Sequence, residues 1–145
     1  MAGNGGRTET TENEAVVRRF YEEVFNHGRE DVIEEIISPD YIDYGHQPPG
    51  RGPQGALDDF KGVQAMASGA RYDIEDMVAA GDTVAVRWTG HLKHTGPIAG
   101  VEATGKRLTL PGMSFYKLAN GQIVETRNLA DMLGLLGQLG VIPGS

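Results

Sequence analysis

Asp43, Arg87, His91 and Asn128 are residues of this chain whose types can move a proton or hold a developing charge. Asp43 stands in Tyr41-Ile42-Asp43-Tyr44-Gly45. There its carboxylate can act as an acid/base group, or bond the local backbone as a turn residue. Arg87, Thr89 and His91 alternate along one extended run and so share a face. If that face lines a pocket, it offers a guanidinium for an anion and an imidazole as an acid/base group. A structural ion pair for Arg87 and a solvated strand end for His91 are the plainer alternatives. Ser114 and Tyr116 alternate with Gly112 on one face, opposite Met113 and Phe115. Asn128 shares parity with Thr126 and Ala130, whereas Asp131 falls on the other side, placed to cap a terminal helix.

Other chemistries are poorly served. The absence of cysteine excludes thiolate zinc sites, disulfides and cysteine nucleophiles. His91 and His94, three apart on a strand, point to opposite faces with no carboxylate cluster beside them, so no metal is expected. Gly96 to Gly105 is a loop with scattered glycines and no following helix, not a phosphate loop. His94 in His94-Thr95-Gly96 reads as structural, and His27 as the partner of a helix end.

A chain of 145 residues makes one domain, with residues 1–10 expected as a flexible N-terminus and 11–145 as the folded unit. Twenty acidic residues against 13 basic ones leave a net charge of -7, which would repel nucleic acid and anionic membrane. No apolar run suits a membrane span or a secretory leader, so a cytoplasmic protein is expected.

Thr11-Glu12-Asn13-Glu14 fits a capping box, and Val16, Val17, Phe20, Tyr21, Val24 and Phe25 follow at helical spacing up to Gly28. Val32, Ile33, Ile36 and Ile37 mark a second short helix that Ser38-Pro39 should stop, and Tyr41 to Tyr44 a short strand. Leu57, Phe60, Val63 and Met66 mark a third helix. From Arg71 the period changes to two, predicting four antiparallel strands over 71–130, with a hairpin at Asn120-Gly121 and a closing helix around Leu133 to Leu139. Helices followed by a meander make an α+β pattern in which a curved sheet and three N-terminal helices enclose one pocket.

Several stretches, in order, resemble the SnoaL-like polyketide cyclases, of the nuclear transport factor 2 and ketosteroid isomerase fold group. They include Val17-Arg18-Arg19-Phe20-Tyr21, Phe25-Asn26-His27-Gly28, Ser38-Pro39-Asp40-Tyr41, Arg87-Trp88-Thr89, His94-Thr95-Gly96, Asn120-Gly121-Gln122, and Asp131 through Gly134 with Leu136 and Gln138-Leu139-Gly140. The resemblance implies a cone-shaped α+β barrel, a homodimer through the outer sheet face, and intramolecular aldol ring closure on a hydrophobic small molecule with no cofactor. It also implies that the position of the cyclases' acid/base Asp falls on Asn128, and that of a cyclase histidine on Ser114. An amide cannot accept a proton at neutral pH. In the related limonene epoxide hydrolases a Tyr-x-Asn falls on Tyr41-Ile42-Asp43, which suggests a carboxylate and an amide exchanged across one pocket. Their Arg-x-Asp falls on Arg87-Trp88-Thr89.

These readings expect Asp43 as proton carrier, Arg87, Asn128 and His91 as further catalytic groups, and Tyr41, Tyr44, Thr89, Ser114 and Tyr116 as substrate contacts. The expected function is a polyketide cyclase-like enzyme of secondary metabolism. The alternatives are an epoxide or lactone hydrolase and a non-catalytic binding dimer.

Overall fold

The computed structural model describes residues 2–142, with side chains from residue 8 onward. Helix α1 (Ala2–Arg19) begins well before the capping-box residues Thr11 to Glu14, which lie inside it. Thr and Glu are tolerated in helix interiors, so a capping pattern alone does not set a start. Met1 and residues 143–145 of the expected domain plan lie outside the described residues.

The helix continues as a π-helical stretch, Phe20–Asn26, where the spacing of apolar residues predicts ordinary helix. In an α-helix residues five apart diverge by about 140°. The wider π turn brings Phe20 and Phe25 onto one face, their rings 5.1 Å apart edge to face. Gly28 closes the stretch as expected, its N–H reaching the Val24 carbonyl at 2.9 Å.

A 3-10 turn (Glu30–Val32) and α2 (Ile33–Ile36) lead straight into strand β1 (Ile37–Asp43). The strand therefore starts earlier than Tyr41, and Pro39 lies within it rather than behind the helix. The ladder to the neighbouring strand shifts register between Ile37 and Ile42, so Pro39 falls in the irregular part, where its missing N–H is tolerated. There follow β2 (Gly50–Arg51), α3 (Gly52–Met66), β3 (Arg71–Ala80), β4 (Thr83–Lys93), β5 (Arg107–Ala119), β6 (Gln122–Ala130) and α4 (Met132–Gln138).

The four strands of 71–130 are antiparallel neighbours, as the period-two pattern predicts. The whole sheet has the order β2-β1-β6-β5-β4-β3 and is mixed, because β1 joins β6 in parallel. β2 and β3 remain as separate edges, so the cone is open rather than a closed barrel. Register shifts in β3–β4 between Ile74 and Asp76, and in β5–β6 between Lys117 and Leu118, mark the irregularities that bend a sheet. The helices cover its concave face, where Val17, Val24, Ile36, Val84 and Ile123 form the core.

Which side of each strand turns inward decides where the site residues go. Along β4, Val84, Val86, Trp88 and Leu92 are buried, while Arg87, His91 and Lys93 are exposed. The set of Arg87, Thr89 and His91 therefore faces away from the helices, opposite to the expectation. Along β5 the expected set holds: Ser114 and Tyr116 point inward, with Met113 and Phe115 outside.

Candidate functional site

Between the helices and the concave face lies a cavity of about 260 Å³. Phe20, Tyr21 and Phe25 supply one wall and Tyr72, Trp88 and Tyr116 the other. The rings meet edge to face, with centroids 5.3 Å apart for Tyr72 and Trp88 and 5.4 Å for Phe25 and Tyr72. Such walls suit a flat apolar ligand. No Lys or Arg lines the cavity among the described residues.

The polar groups of the sheet floor form a directed chain. Trp88 lies opposite Gly112 on β5, where a Cβ would stand 2.2 Å from the indole Cζ2. The indole nitrogen can only donate, and it donates to Ser114 Oγ at 2.9 Å. Ser114 in turn donates to Asn128 Oδ1, its cross-strand partner on β6. With the amide oxygen taken, Asn128 presents its NH₂ as a donor, on the side where Gly45 passes. Deeper in, the hydroxyls of Tyr21 and Tyr116 bond each other at 2.6 Å, and Tyr41 donates to Thr126 Oγ1 at 2.9 Å. Burial pushes the Tyr21 phenol up to about 12, and moves those of Tyr41, Tyr72 and Tyr116 higher still. All four are neutral donors at physiological pH.

An acidic corner closes the cavity on the α3 side. Asp43 ends β1 and is 1% exposed. Its Oδ1 accepts the Gly45 N–H at 2.8 Å, so the turn-residue reading is correct as far as it goes. Its Oδ2 lies 3.3 Å from His46 Nε2, and the same nitrogen is 3.0 Å from Asp59 Oδ1. Asp59 reaches the corner because α3 packs tightly on the start of β2. A Cβ on Gly55, one turn earlier on the same helix face, would come 2.8 Å from the Gly50 carbonyl carbon. Burial raises the Asp43 pKa above the ordinary carboxylate value, against the Gly45 bond that lowers it. The bond to Asp59 raises the His46 pKa, against partial burial. Asp43 itself is one layer behind the cavity wall, which Gly45 and His46 form in front of it.

Of the expected site residues, Asp43 and Asn128 do approach one point: a Cβ on Gly45 would lie 3.0 Å from Asp43 Oδ1 and 3.3 Å from Asn128 Nδ2. Tyr41, Ser114 and Tyr116 line the cavity with Asn128. Arg87 does not reach it. It pairs with Asp76 at 2.7 Å on the outer face, beside its ladder partner Met113. His91 is likewise outside, 3.0 Å from Asp73, and Thr89 shares its face. Tyr44 is exposed, with the Arg127 guanidinium stacked 4.1 Å from its ring centre. Its side chain turned outward because it follows the inward-pointing Asp43 by one residue. His94 is fully buried between Thr104 and the Val101 carbonyl, as the structural reading expects.

His46, Asp59, Trp88 and Tyr72 were not named as site residues. A signal for Asp59 existed in the spacing Gly55, Asp59, Val63 and Met66, one stripe of α3 that carries a carboxylate among small and apolar residues. The sequence reading weighs carboxylates only around His91 and His94, and not around His46. Asp43, His46 and Asp59 are the one such group among the described residues with donor atoms within 4.8 Å of one another. His46 Nε2 stands between the two carboxylates, hydrogen-bonded to Asp59 and 3.3 Å from Asp43.

Comparison with known proteins agrees with this architecture. The sequence profile of the SnoaL-like polyketide cyclases matches residues 15–139. The chain is 28% identical over 129 residues to aklanonic acid methyl ester cyclase DnrD of Streptomyces peucetius, covering 86% of this chain and 88% of that one. It is 29% identical over 119 residues to nogalonic acid methyl ester cyclase of Streptomyces nogalater, covering 80% and 89%. The crystal structure of IdmH from Streptomyces antibioticus superposes with a TM-score of 0.77 at 28% identity, covering 89% of this chain and 99% of that one. With the profile spanning nearly the whole fold, and the cavity where such a cone must have one, the chain belongs to the SnoaL-like polyketide cyclase family.

Proposed function

We propose that this protein is a cofactor-independent cyclase-like enzyme of secondary metabolism, closing a ring in a polyketide-like carbonyl compound by acid/base chemistry. The observation that carries the reading is the convergence, at one aromatic cavity, of a donor amide at Asn128 with the acidic corner of Asp43, His46 and Asp59. Aldol closure needs a proton removed from carbon and the resulting enolate oxygen held. Asn128 serves the second need, because the chain from Trp88 through Ser114 fixes its NH₂ toward the ligand without reorganisation. The acidic corner serves the first. The absence of Lys and Arg from the wall among the described residues favours a neutral substrate over a carboxylate. Of the family's properties, a homodimer through the outer sheet face is supported by the exposure there of Met113, Phe115 and Leu129, the last at 83%.

The test is incubation of the purified protein with aklanonic acid methyl ester, the compound in the name of the Streptomyces peucetius relative. The expected result is a product of unchanged mass, formed without added cofactor and without oxygen-18 from labelled water. Label uptake would replace cyclisation by hydrolysis. Binding without conversion would leave a binding protein.

A further inference from the structure

His46 is part of two walls at once. It lines the cavity with Asp59 and Val63, and the same three residues line a groove of about 440 Å³ on the α3 side that continues over Pro48, Gln54 and Met66. Its Nε2 faces Asp59 Oδ1 and Asp43 Oδ2. A carboxylate only accepts, so the nitrogen between two of them carries the hydrogen, and the lone pair of the neutral ring is left at Nδ1. No hydrogen bond from the described residues engages Nδ1.

The wall offers little else that can take a proton. Its titratable groups are four tyrosines, held neutral by burial, together with His46 and Asp59. Asp59 is already bonded to the imidazole, and Asp43 lies behind Gly45. The charged groups facing His46 are thus Asp43 from β1 and Asp59 from α3, with the phenols of Tyr41 and Tyr72 in the field of Asp59.

We infer that His46 is the group that carries the proton in this cavity, and that Asp43 and Asp59 are positioning residues that fix its tautomer and hold the imidazolium it becomes. The inference rests on the acid/base reading above. Nδ1 takes a proton from the carbon beside a substrate carbonyl, leaving imidazolium and an enolate. The enolate carbon forms its bond to a second carbonyl carbon of the same molecule, whose oxygen becomes an alkoxide. The imidazolium returns the proton to that oxygen. Nothing is oxidised or lost, and the product is an isomer. The groove side lets the ring exchange its proton with water between turnovers. The two carboxylates stabilise the cationic ring, as the raised His46 pKa reflects.

The probe is 2-tetralone, a flat bicyclic ketone with exchangeable hydrogens, followed by NMR in deuterated water. The wild-type protein should speed exchange beside the carbonyl, along a limb that rises with pH through the His46 pKa. His46→Gln should slow exchange by about two orders of magnitude or more, with 2-tetralone still bound. His46→Ala should be rescued by added imidazole, which a purely structural role would not allow. Asp59→Asn should move the midpoint of the limb downward, toward the ordinary imidazole value. Wild-type exchange no faster than buffer, unchanged exchange in His46→Gln, or activity lost to a chelator and restored by zinc would each overturn the assignment. Exchange without ring closure of aklanonic acid methyl ester would sink the cyclase reading and leave His46 in place. Ring closure that survives His46→Gln would do the reverse.

Discussion

On the concave face of the β4–β5 ladder, Trp88 lies across Gly112 and Val86 faces Ser114; on the convex face of the same ladder, Arg87 lies opposite Met113 and Ala85 opposite Phe115. The inner polar atoms form one chain in which each partner dictates the direction of the next, ending at the Asn128 amide. The outer ones make local pairs, Arg87 with Asp76 and His91 with Asp73, each open to water. Inside, a lost hydroxyl strands its neighbours without solvent to replace it. Outside, water substitutes for any missing partner.

The sharpest way to break this contrast is at the end of the inner chain. Asn128→Leu removes the donor and should lower turnover of aklanonic acid methyl ester about 10²- to 10³-fold, as loss of an oxyanion donor does. Gly112→Ala forces a methyl into the Trp88 ring and should destabilise the fold by roughly 1–3 kcal/mol in urea unfolding.

The buried carboxylate of the same interior gives a pH test. The folded-state pKa of Asp43 is raised by burial, so the native state holds this proton more tightly than the unfolded chain. Its contribution to stability is therefore greatest below the unfolded carboxylate value of ~3.9 and falls as pH rises through the folded value. Asp43→Asn should accordingly raise Tm at pH 8 relative to wild type, with the gap narrowing toward pH 4, while activity falls.

On the outer face, Leu129→Glu should turn the proposed homodimer into a species of 15.6 kDa by light scattering. Arg87→Ala should change stability by at most about 1 kcal/mol and leave turnover unaltered, because its ion pair is exposed. Equal damage from Arg87→Ala and Asn128→Leu would show that the two faces do not work separately.

Parity along strands was legible, but its sign was harder to read. Ser114 and Tyr116 could be grouped from β5 alone, and Asp131 was expected to cap the last helix, where its carboxylate does accept the Gly134 N–H at 2.8 Å. On β4 the sets were right and the sides reversed. The epoxide hydrolase likeness argued Arg87 inward, while hydrophobic alternation argued the opposite: Val84, Val86, Trp88 and Leu92 against Arg87, His91 and Lys93. Burying the apolar set outweighs any one polar contact, so alternation is the better guide. The His46 corner was less accessible: the α3 stripe of Gly55, Asp59, Val63 and Met66 marks a buried face, but not the turn residue His46 that it meets. The π-helical stretch was hidden for a similar reason, since Phe20, Tyr21, Val24 and Phe25 also satisfy ordinary helical spacing.

The parallel pairing of β1 with β6 has a kinetic side. Asp43 lies beside Thr126, and Tyr41 bonds Thr126 across 85 positions of chain. Loop closure over that span precedes any reward from the contact, so the β1–β6 pairing that brings Asn128 to Gly45 should be among the late events in folding. The helices and the β3–β4 hairpin can form from neighbouring sequence, but the chemical centre exists only once the two ends of the fold have met. A chain stalled before β1 and β6 pair would carry its aromatic walls exposed and its acidic corner apart from Asn128, at risk of aggregating.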